Sequence, residues 1–596
     1  MAVDVPGLVS VIVFYVCILS IGVWGSRKSK KVEKKCSGSK SEVAIIGGRN
    51  INILVGIFTM TGGERFLLYV EAVTATWVGG GYIMGTAESV YSPTQGLVWA
   101  LGPPAYVFCF FVAGLFFAKP MRSKRYVTML DPFQNRYGKA FTVTLLLPAL
   151  ASDILWVACI LAALGGTMSI ILGLSSTISI IISAAVSIVY TLLGGLYSVA
   201  YTDIIQLCFI FFSLVRILSS SGNEKRTKQM YAIAKNVELG SYRLSENLED
   251  SHFILAFFSL SFSGFVFLLW FLVQQLLSSH KHSHSTKQTN MHGWDTEMLL
   301  MALGGLSYQA LYQRILSAAS SVQAQISCFA AALTVFIMGI PSVVIGVMAS
   351  AADWNQTAYG LPPPFERGDA GKILPLALQH LTPTWVAVLG IGSVAAAVMS
   401  SMDSALLSSA SMFTQNIYKT TLRKTASDRE LQWVIRISVL VVGLAGTGLA
   451  FGDDSVFALW VLSGDLLYCV IFPQLVCVLH FQRANTYGAF SGFVVGLLLR
   501  GLSGEPILGI PPVLLYPGWR EENNVIIQYF PYRTIAMLFS VGSILAVSCL
   551  LNLIFKHELI PQSWDFLQAF KNKNETEEVE APGSLEEINQ VLNTKF

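Results

Sequence analysis

The chain has 596 residues, of which 53% are hydrophobic and 13% charged, with a mean hydropathy of +0.59. That charged share is about half the globular norm of roughly 25%, which excludes an ordinary water-soluble domain and points to a polytopic membrane protein. The net charge of +3 gives no argument for nucleic acid, because the basic residues sit mostly in loops, and the nine cysteines lie mostly in apolar runs, where packed thiols are expected instead of a disulfide framework.

The first apolar run, Leu8 to Trp24, is followed by Arg27, Lys28, Lys30, Lys31, Lys34 and Lys35. So many positive charges after a first span place the N-terminus outside and the basic loop in the cytosol. The run has no basic leader and no small-residue cleavage site, so it reads as a retained span and not a signal peptide. A second basic loop, Lys119 through Lys139, is cytosolic by the same rule. Two crossings must separate the loops, and the segments from about Asn50 to Tyr91 and from Gly96 to Ala118 supply them.

Inside the first of these lies Thr74-Ala75-Thr76-Trp77-Val78-Gly79-Gly80-Gly81-Tyr82. Each glycine costs a helix interior about 1 kcal/mol relative to alanine, so a spanning helix breaks here. A break frees backbone carbonyls, which a bilayer tolerates only where they face protein, a cavity or a cation. Trp77 adds an aromatic face suited to an organic cation. The alternative is a glycine-rich packing face between helices.

Later runs with at most one charge are Leu145–Leu164, Ile178–Leu196, Ile204–Leu218, Ala324–Met348, Trp385–Met399, Ile437–Phe451, Phe457–Leu479, Tyr487–Leu499 and Ile535–Ile554. With the broken segments they make roughly a dozen or more spans. Asn355-Gln356-Thr357 sits in a polar loop and is a glycosylation acceptor by pattern, at Asn355. Lys419 to Arg429 is a basic loop, cytosolic by charge, and residues 571–596 form an acidic, polar, disordered cytosolic tail. His280, His282 and His284 read as a solvated tract more readily than as a metal site, since no further ligands at metal spacing accompany them. No nucleotide-binding loop or nucleophile grouping appears, so the chain is not expected to be an enzyme and no organic cofactor is expected.

Several motifs carry a resemblance. Gly194-Gly195-Leu196-Tyr197-Ser198-Val199-Ala200-Tyr201-Thr202-Asp203, together with Thr76 to Tyr82, Phe117 to Lys124, Met129 to Gln134, Ala351 to Gly360, Ala397 to Ser401 and Asn485 to Ala489, is similar to the sodium/solute symporter family, and within it to the choline-transporting branch. The similarity runs from Met1 to about Leu214 and from about Met298 to Asp565.

The resemblance implies an all-α polytopic transporter domain over residues 1–570, with two inverted five-helix repeats, broken core helices and about 13 spans. It implies sodium held by the carbonyls of Ala75, Val78 and Ala397 with the side chains of Ser400 and Ser401, and a second sodium position at Asp403 and Ser404. Neutral oxygens suit a hard monovalent cation that must also leave, and an ionisable group in an apolar helix is functional by default. For Asp403 the alternative is a carboxylate that only ties helices together. Choline carries no N–H on its ammonium, so aromatic faces must recognise it. The matching cage positions are Trp77, Tyr106, Trp156 and Tyr308, where Ser307-Tyr308 departs from the family's proline and tryptophan. Each of these aromatics taken singly is more often packing; their joint match favours the cage.

The implied activity is sodium-coupled, chloride-dependent choline uptake across the plasma membrane, supplying acetylcholine synthesis, with presynaptic and synaptic-vesicle membranes as the location. The competing readings are a symporter for another small solute or quaternary amine, and a non-transporting or defective paralogue. Two stretches, 62–74 and 215–297, have no counterpart in the family pattern and read as retained noncoding sequence or gene-model error. An apolar run inside the second, Phe253 to Leu277, would invert the topology downstream if it crossed the bilayer.

Overall fold

Where the sequence alternates apolar runs with short polar joints, helices form and pack along their lengths, and those packed helices make up the molecule. The computed structural model describes residues 20, 74, 76–189, 191–192, 296–452, 455–522, 525–567 and 569–570. The run Leu8 to Trp24, apart from Ser20, with its basic loop, residues 62–73, Ala75, the stretch Gly194 to Asp203, residues 215–295 with the three histidines, and the tail 571–596 lie outside the described residues.

Among the described residues seven helices are long and apolar enough to cross a membrane, and two more, Ser176–Val189 and Thr486–Leu502, are apolar but shorter. In chain order α1 is Gly80–Tyr91, α2 Gly102–Val112, α3 Ala118–Ser123, α4 Asp131–Leu172 and α5 Ser176–Val189. There follow α6 Gln309–Ser317, α7 Ser321–Ser350, α8 Ile373–Leu381, α9 Thr384–Met412 and α10 Asp428–Leu449. The last are α11 Val456–Leu466, α12 Phe472–His480, α13 Thr486–Leu502 and α14 Tyr532–Lys556. A small antiparallel hairpin pairs Arg520–Glu522 with Val525–Ile527.

Several α-helices join through one wide turn. Ala113–Phe117 links α2 to α3 and Leu467–Ile471 links α11 to α12, each as a π-helical turn. Such turns shift the helical register and recur at functional positions. Helix α4 is bent at Gly138, where φ is 85° and ψ 175°, a conformation that favours glycine. The bend separates a short N-terminal piece from the spanning part.

Helix α9 is the centre of the bundle. Every residue from Gly390 to Met412 is buried. A helix apolar or small on all faces has no solvent side, and its alanines, glycines and serines let neighbours approach closely. By contrast α10 and α14 turn large side chains outward: Trp433, Ile437, Val441 and Leu444 on one, Leu538, Phe539, Leu550 and Leu553 on the other. In a membrane these faces meet lipid.

Polar residues are placed where helix ends need them. Ser320 accepts from the Gln323 N–H and Asn485 from the Gly488 N–H, capping α7 and α13, and Ser427 with Glu430 forms a reciprocal capping box on α10. Glu88 near the end of α1 accepts from the Ser455 hydroxyl at 2.7 Å and the Phe457 N–H at 2.9 Å, joining α1 to the start of α11. The loop of residues 351–369 lies over this end, its Phe365 N–H donating to the Tyr91 hydroxyl.

Candidate functional site

The glycine stretch does break a helix, at Val78 and Gly79. Thr76 and Trp77 are helical, Val78 and Gly79 form a bend, and α1 begins at Gly80. The three glycines divide the work. Gly79 is extended, and a Cβ there would collide with the Ser401 side chain. Gly80 and Gly81 lie inside the new helix and pack instead, the first under Ala163 and Val398, the second against Cys159 and Trp460. Both sequence readings, break and packing face, therefore hold for different residues of the run.

The partner interruption follows the same plan. A π-helical turn, Leu300–Gly304, gives way to Leu306 and Ser307, Tyr308 is extended with ψ 131°, and α6 starts at Gln309. Gly304 and Gly305 let this turn approach neighbouring helices, Gly304 against the Gly464 carbonyl and Gly305 against Cys109.

Helix α9 crosses the first break. Ser401 Oγ donates to the Thr76 carbonyl at 2.9 Å, and the Ala397 carbonyl faces Gly79. Val78, Ala397, Ser400 and Ser401 are all at most 1% exposed. The structure thus brings the Ser401 hydroxyl and the Ala397 carbonyl to the break, while Val78 and Ser400 are buried near it in sequence and Ala75 lies outside the described residues. It adds the Thr76 carbonyl, which sequence reasoning passed over.

One turn further along α9, Ser404 Oγ lies 3.2 Å from Thr76 Oγ1. The buried Arg314 of α6 donates to both, at 3.1 Å to Ser404 Oγ and 3.3 Å to Thr76 Oγ1. Asp403 is buried and its Oδ1 accepts from Thr191 Oγ1 at 2.5 Å. Asp403 thus meets the helix continuing from α5, and Ser404 meets α6.

Beside the break stands a group of rings. Trp77 lies 5.0 Å from Tyr106, 5.9 Å from Trp156 and 5.6 Å from Tyr308, and Trp156 lies 4.9 Å from Tyr308, centroid to centroid. All four predicted cage residues are within 4–6% exposure, on four separate segments. Trp460 Nε1 donates to the Tyr106 hydroxyl at 2.8 Å, and the Tyr308 hydroxyl pairs with Ser463 Oγ at 2.9 Å. Tyr82 stacks on Tyr106 at 5.5 Å and donates to the Val335 carbonyl. Trp460, Ser463 and Tyr82 were not singled out from sequence. Tyr82 had a signal, since it closes the glycine motif. Trp460 and Ser463 had none, lying in an unremarkable apolar run.

Further buried and partly buried charges were missed. Asp153, one turn before Trp156 on α4, accepts from Ser409 Oγ at 2.7 Å. Behind the rings, Arg500 pairs with Asp465 and Glu505, while Arg533 lies 3.5 Å from Asp465 and 3.8 Å from Glu505 and Glu297. This network binds α13 and α14 to α11 and to the segment that leads into Tyr308. Asn355 is exposed in the loop after α7, where its N–H donates to Asp353 Oδ1.

A sequence model of the Sodium:solute symporter family matches residues 61–496. The chain belongs to that family. High affinity choline transporter 1 of Homo sapiens is 42% identical over 584 residues, covering 97% of this chain and 91% of the relative. The protein of the same name from Torpedo marmorata is 41% identical over 583 residues with the same coverage, and that of Drosophila melanogaster 39% over 571, covering 96% of this chain and 82% of the relative. A solved Na+-coupled sialic acid symporter, in a substrate-bound outward-open state, superposes with a TM-score of 0.61 at 17% identity, covering 91% of this chain and 98% of that one. The fold is that of the symporters, and the chain is a membrane transporter, not an enzyme.

Proposed function

We propose that this chain takes up choline across the plasma membrane, driven by sodium. The observation that carries the reading is the set of four rings, Trp77, Tyr106, Trp156 and Tyr308, gathered from four segments beside a break in a spanning helix. A quaternary ammonium offers no hydrogen-bond donor, and each aromatic face within about 6 Å contributes roughly 0.5–2 kcal/mol. The identity with named choline transporters supports the same substrate.

Sodium would be held by the carbonyls of Ala75, Val78 and Ala397 with Ser400 and Ser401, and a second ion by Asp403 and Ser404. Moving one charge inward down the membrane potential supplies about 2.3 kcal/mol per 100 mV. Chloride dependence, delivery of choline to acetylcholine synthesis, a presynaptic and vesicular location and glycosylation at Asn355 rest on the resemblance alone.

The test is accumulation of labelled choline by cells expressing the chain, with sodium then replaced by lithium and chloride by gluconate. Expected are loss of accumulation in both media and in Trp77→Ala. Uptake indifferent to sodium, or unchanged in Trp77→Ala, would overturn the assignment. A related quaternary amine is the second reading. It is favoured by Tyr308, whose hydroxyl bonded to Ser463 gives this wall of the cage a polar edge. A competition panel of quaternary amines separates the two. The inserts at 62–74 and 215–297 are proposed to be absent from the transporting form except at their ends, where Thr74 and Glu297 pack into the bundle, and transcript reads through both would refute that.

A further inference from the structure

Helix α6 is short and every one of its residues is buried, Arg314 at 3% exposure. Its guanidinium reaches two hydroxyls from different parts of the bundle. Nη2 donates to Ser404 Oγ on α9 at 3.1 Å and to Thr76 Oγ1, just before the first break, at 3.3 Å; Nε lies 3.4 Å from the same Thr76 oxygen. The two hydroxyl oxygens are themselves 3.2 Å apart. One positive nitrogen therefore stands against a pair of neutral oxygens.

Such a pair is what a monovalent cation uses, since neutral oxygens hold it without trapping it. Ser404 is one of the two residues read above as a second sodium position. Thr76 takes part in both positions: its carbonyl accepts from the Ser401 hydroxyl at the first crossing, and its side chain meets Ser404. The guanidinium thus sits on the oxygens that the second ion would need. Two positive charges on the same oxygens repel strongly where water is kept out, and Thr76 and Ser404 are each at most 1% exposed. Sodium and Arg314 cannot hold the pair at the same time.

We propose that Arg314 is a built-in stand-in for sodium: its guanidinium holds the Thr76–Ser404 pair while that position is empty and is displaced when sodium enters. The inference rests on reading Ser404 as an ion position, and it adds the residue that competes for it. Without an ion, the guanidinium keeps the first broken helix, α6 and α9 joined. With one, sodium must first win the two hydroxyls, so Arg314 sets how much sodium the position needs. The link extends to the cage, because α6 starts directly after Tyr308. The plain alternative is an arginine that only ties helices together. The two differ in sign. Removing a tie weakens sodium binding or leaves it unchanged, whereas removing a competitor tightens it.

Full-length chain, purified in detergent without choline, is melted over a range of sodium concentrations, with N-methylglucamine making up the balance so that chloride and ionic strength stay constant. Arg314→Gln should melt below the parent without sodium, and its half-maximal stabilisation should come at a several-fold lower sodium concentration. Arg314→Lys keeps a positive charge within reach and should stay closer to the parent. The position at Ser401 is common to all three chains. A half-maximal concentration in Arg314→Gln equal to or above the parent's, or a lysine variant tightened as much as the glutamine one, would overturn the proposal. Density maps of the parent in saturating sodium and in N-methylglucamine need no variant. Sodium should move the guanidinium out of hydrogen-bond reach of Ser404 and Thr76, and a guanidinium still on both hydroxyls would overturn the proposal equally. Ser404→Ala made in the Arg314→Gln chain, where no competitor remains, tests the reading underneath and should raise the sodium requirement several-fold. No change there means that Ser404 holds no sodium. A rise there without tightening in Arg314→Gln means that the ion position stands and the stand-in does not.

Discussion

Ser401 Oγ donates to the Thr76 carbonyl at 2.9 Å, so the residue before the helix break is fastened to α9 by a side chain that also closes over Gly79. The bond fixes the distance between the interrupted helix and the bundle centre. When sodium binds, Ser401 Oγ would turn a lone pair to the ion while keeping its proton on Thr76. Ser401→Thr retains that hydroxyl and Ser401→Ala removes it. A typical net hydrogen bond contributes about 0.5–1.5 kcal/mol, and a lost ion ligand adds to it, so Ser401→Ala should raise the sodium concentration for half-maximal uptake by about tenfold or more. Ser401→Thr should stay close to the parent. Sodium activation curves at saturating substrate measure both.

Gly79 gives a steric prediction at the same crossing. Gly79→Ala should abolish uptake and lower the melting temperature, because its Cβ has no room beside Ser401. Gly448 on α10 and Gly542 on α14 have nothing within 4 Å of a built Cβ. Alanine at either should leave uptake intact and stabilise by about 0.5–1 kcal/mol, the helix propensity difference. Melting of the detergent-purified variants distinguishes the two classes.

The contrast shows what the sequence could express. A triple glycine announced a break, and hydrophobic runs announced the spans, because both depend on local chemistry. Which glycine broke the helix and which two packed depended on Ser401, Ala163, Val398 and Trp460, residues more than eighty positions away. The four cage aromatics came from motif resemblance, and no periodicity would have joined Trp77 to Tyr308. Thr76 escaped notice because its carbonyl, not its side chain, meets Ser401. Trp460 and Ser463 were silent for a related reason: an apolar run does not say which face of its helix will meet a site. Asp153, the one charge in its apolar run, carried the same signal as Asp403 and was passed over.

The cage makes a prediction about ring chemistry. Tryptophan is the best cation-binding face and contributes roughly 0.5–2 kcal/mol, so Trp77→Ala should raise the KM for choline by about tenfold or more, and Trp77→Phe by less. Tyr308→Trp should lower the KM a few-fold by restoring a better face. It also removes the phenol from Ser463, which still has its bond to the Trp460 carbonyl at 2.7 Å. Tyr308→Phe isolates that hydroxyl. It should alter choline affinity little and shift selectivity among amines that carry different polar groups, measured by competition against labelled choline.

The network behind the rings predicts a stability effect. Arg500 is buried between Asp465 and Glu505, and its Nη1 also donates to the Gly504 carbonyl at 2.8 Å. Removing the cation leaves two carboxylates enclosed near Arg533 alone. Breaking one side of a buried ion pair costs about 3–5 kcal/mol, so Arg500→Met should melt well below the parent. Asp465→Asn combined with Arg500→Met removes a charge of each sign and should recover part of that loss, since the uncompensated carboxylate disappears. Because Asp465 lies two residues beyond Ser463, which holds Tyr308, the single variant should also weaken substrate binding where it folds. Detergent melting curves for Arg500→Met, Asp465→Asn and the double variant, with choline protection against heat as the second readout, give the coupling directly. A double variant no more stable than Arg500→Met would mean that the two side chains stabilise the bundle independently.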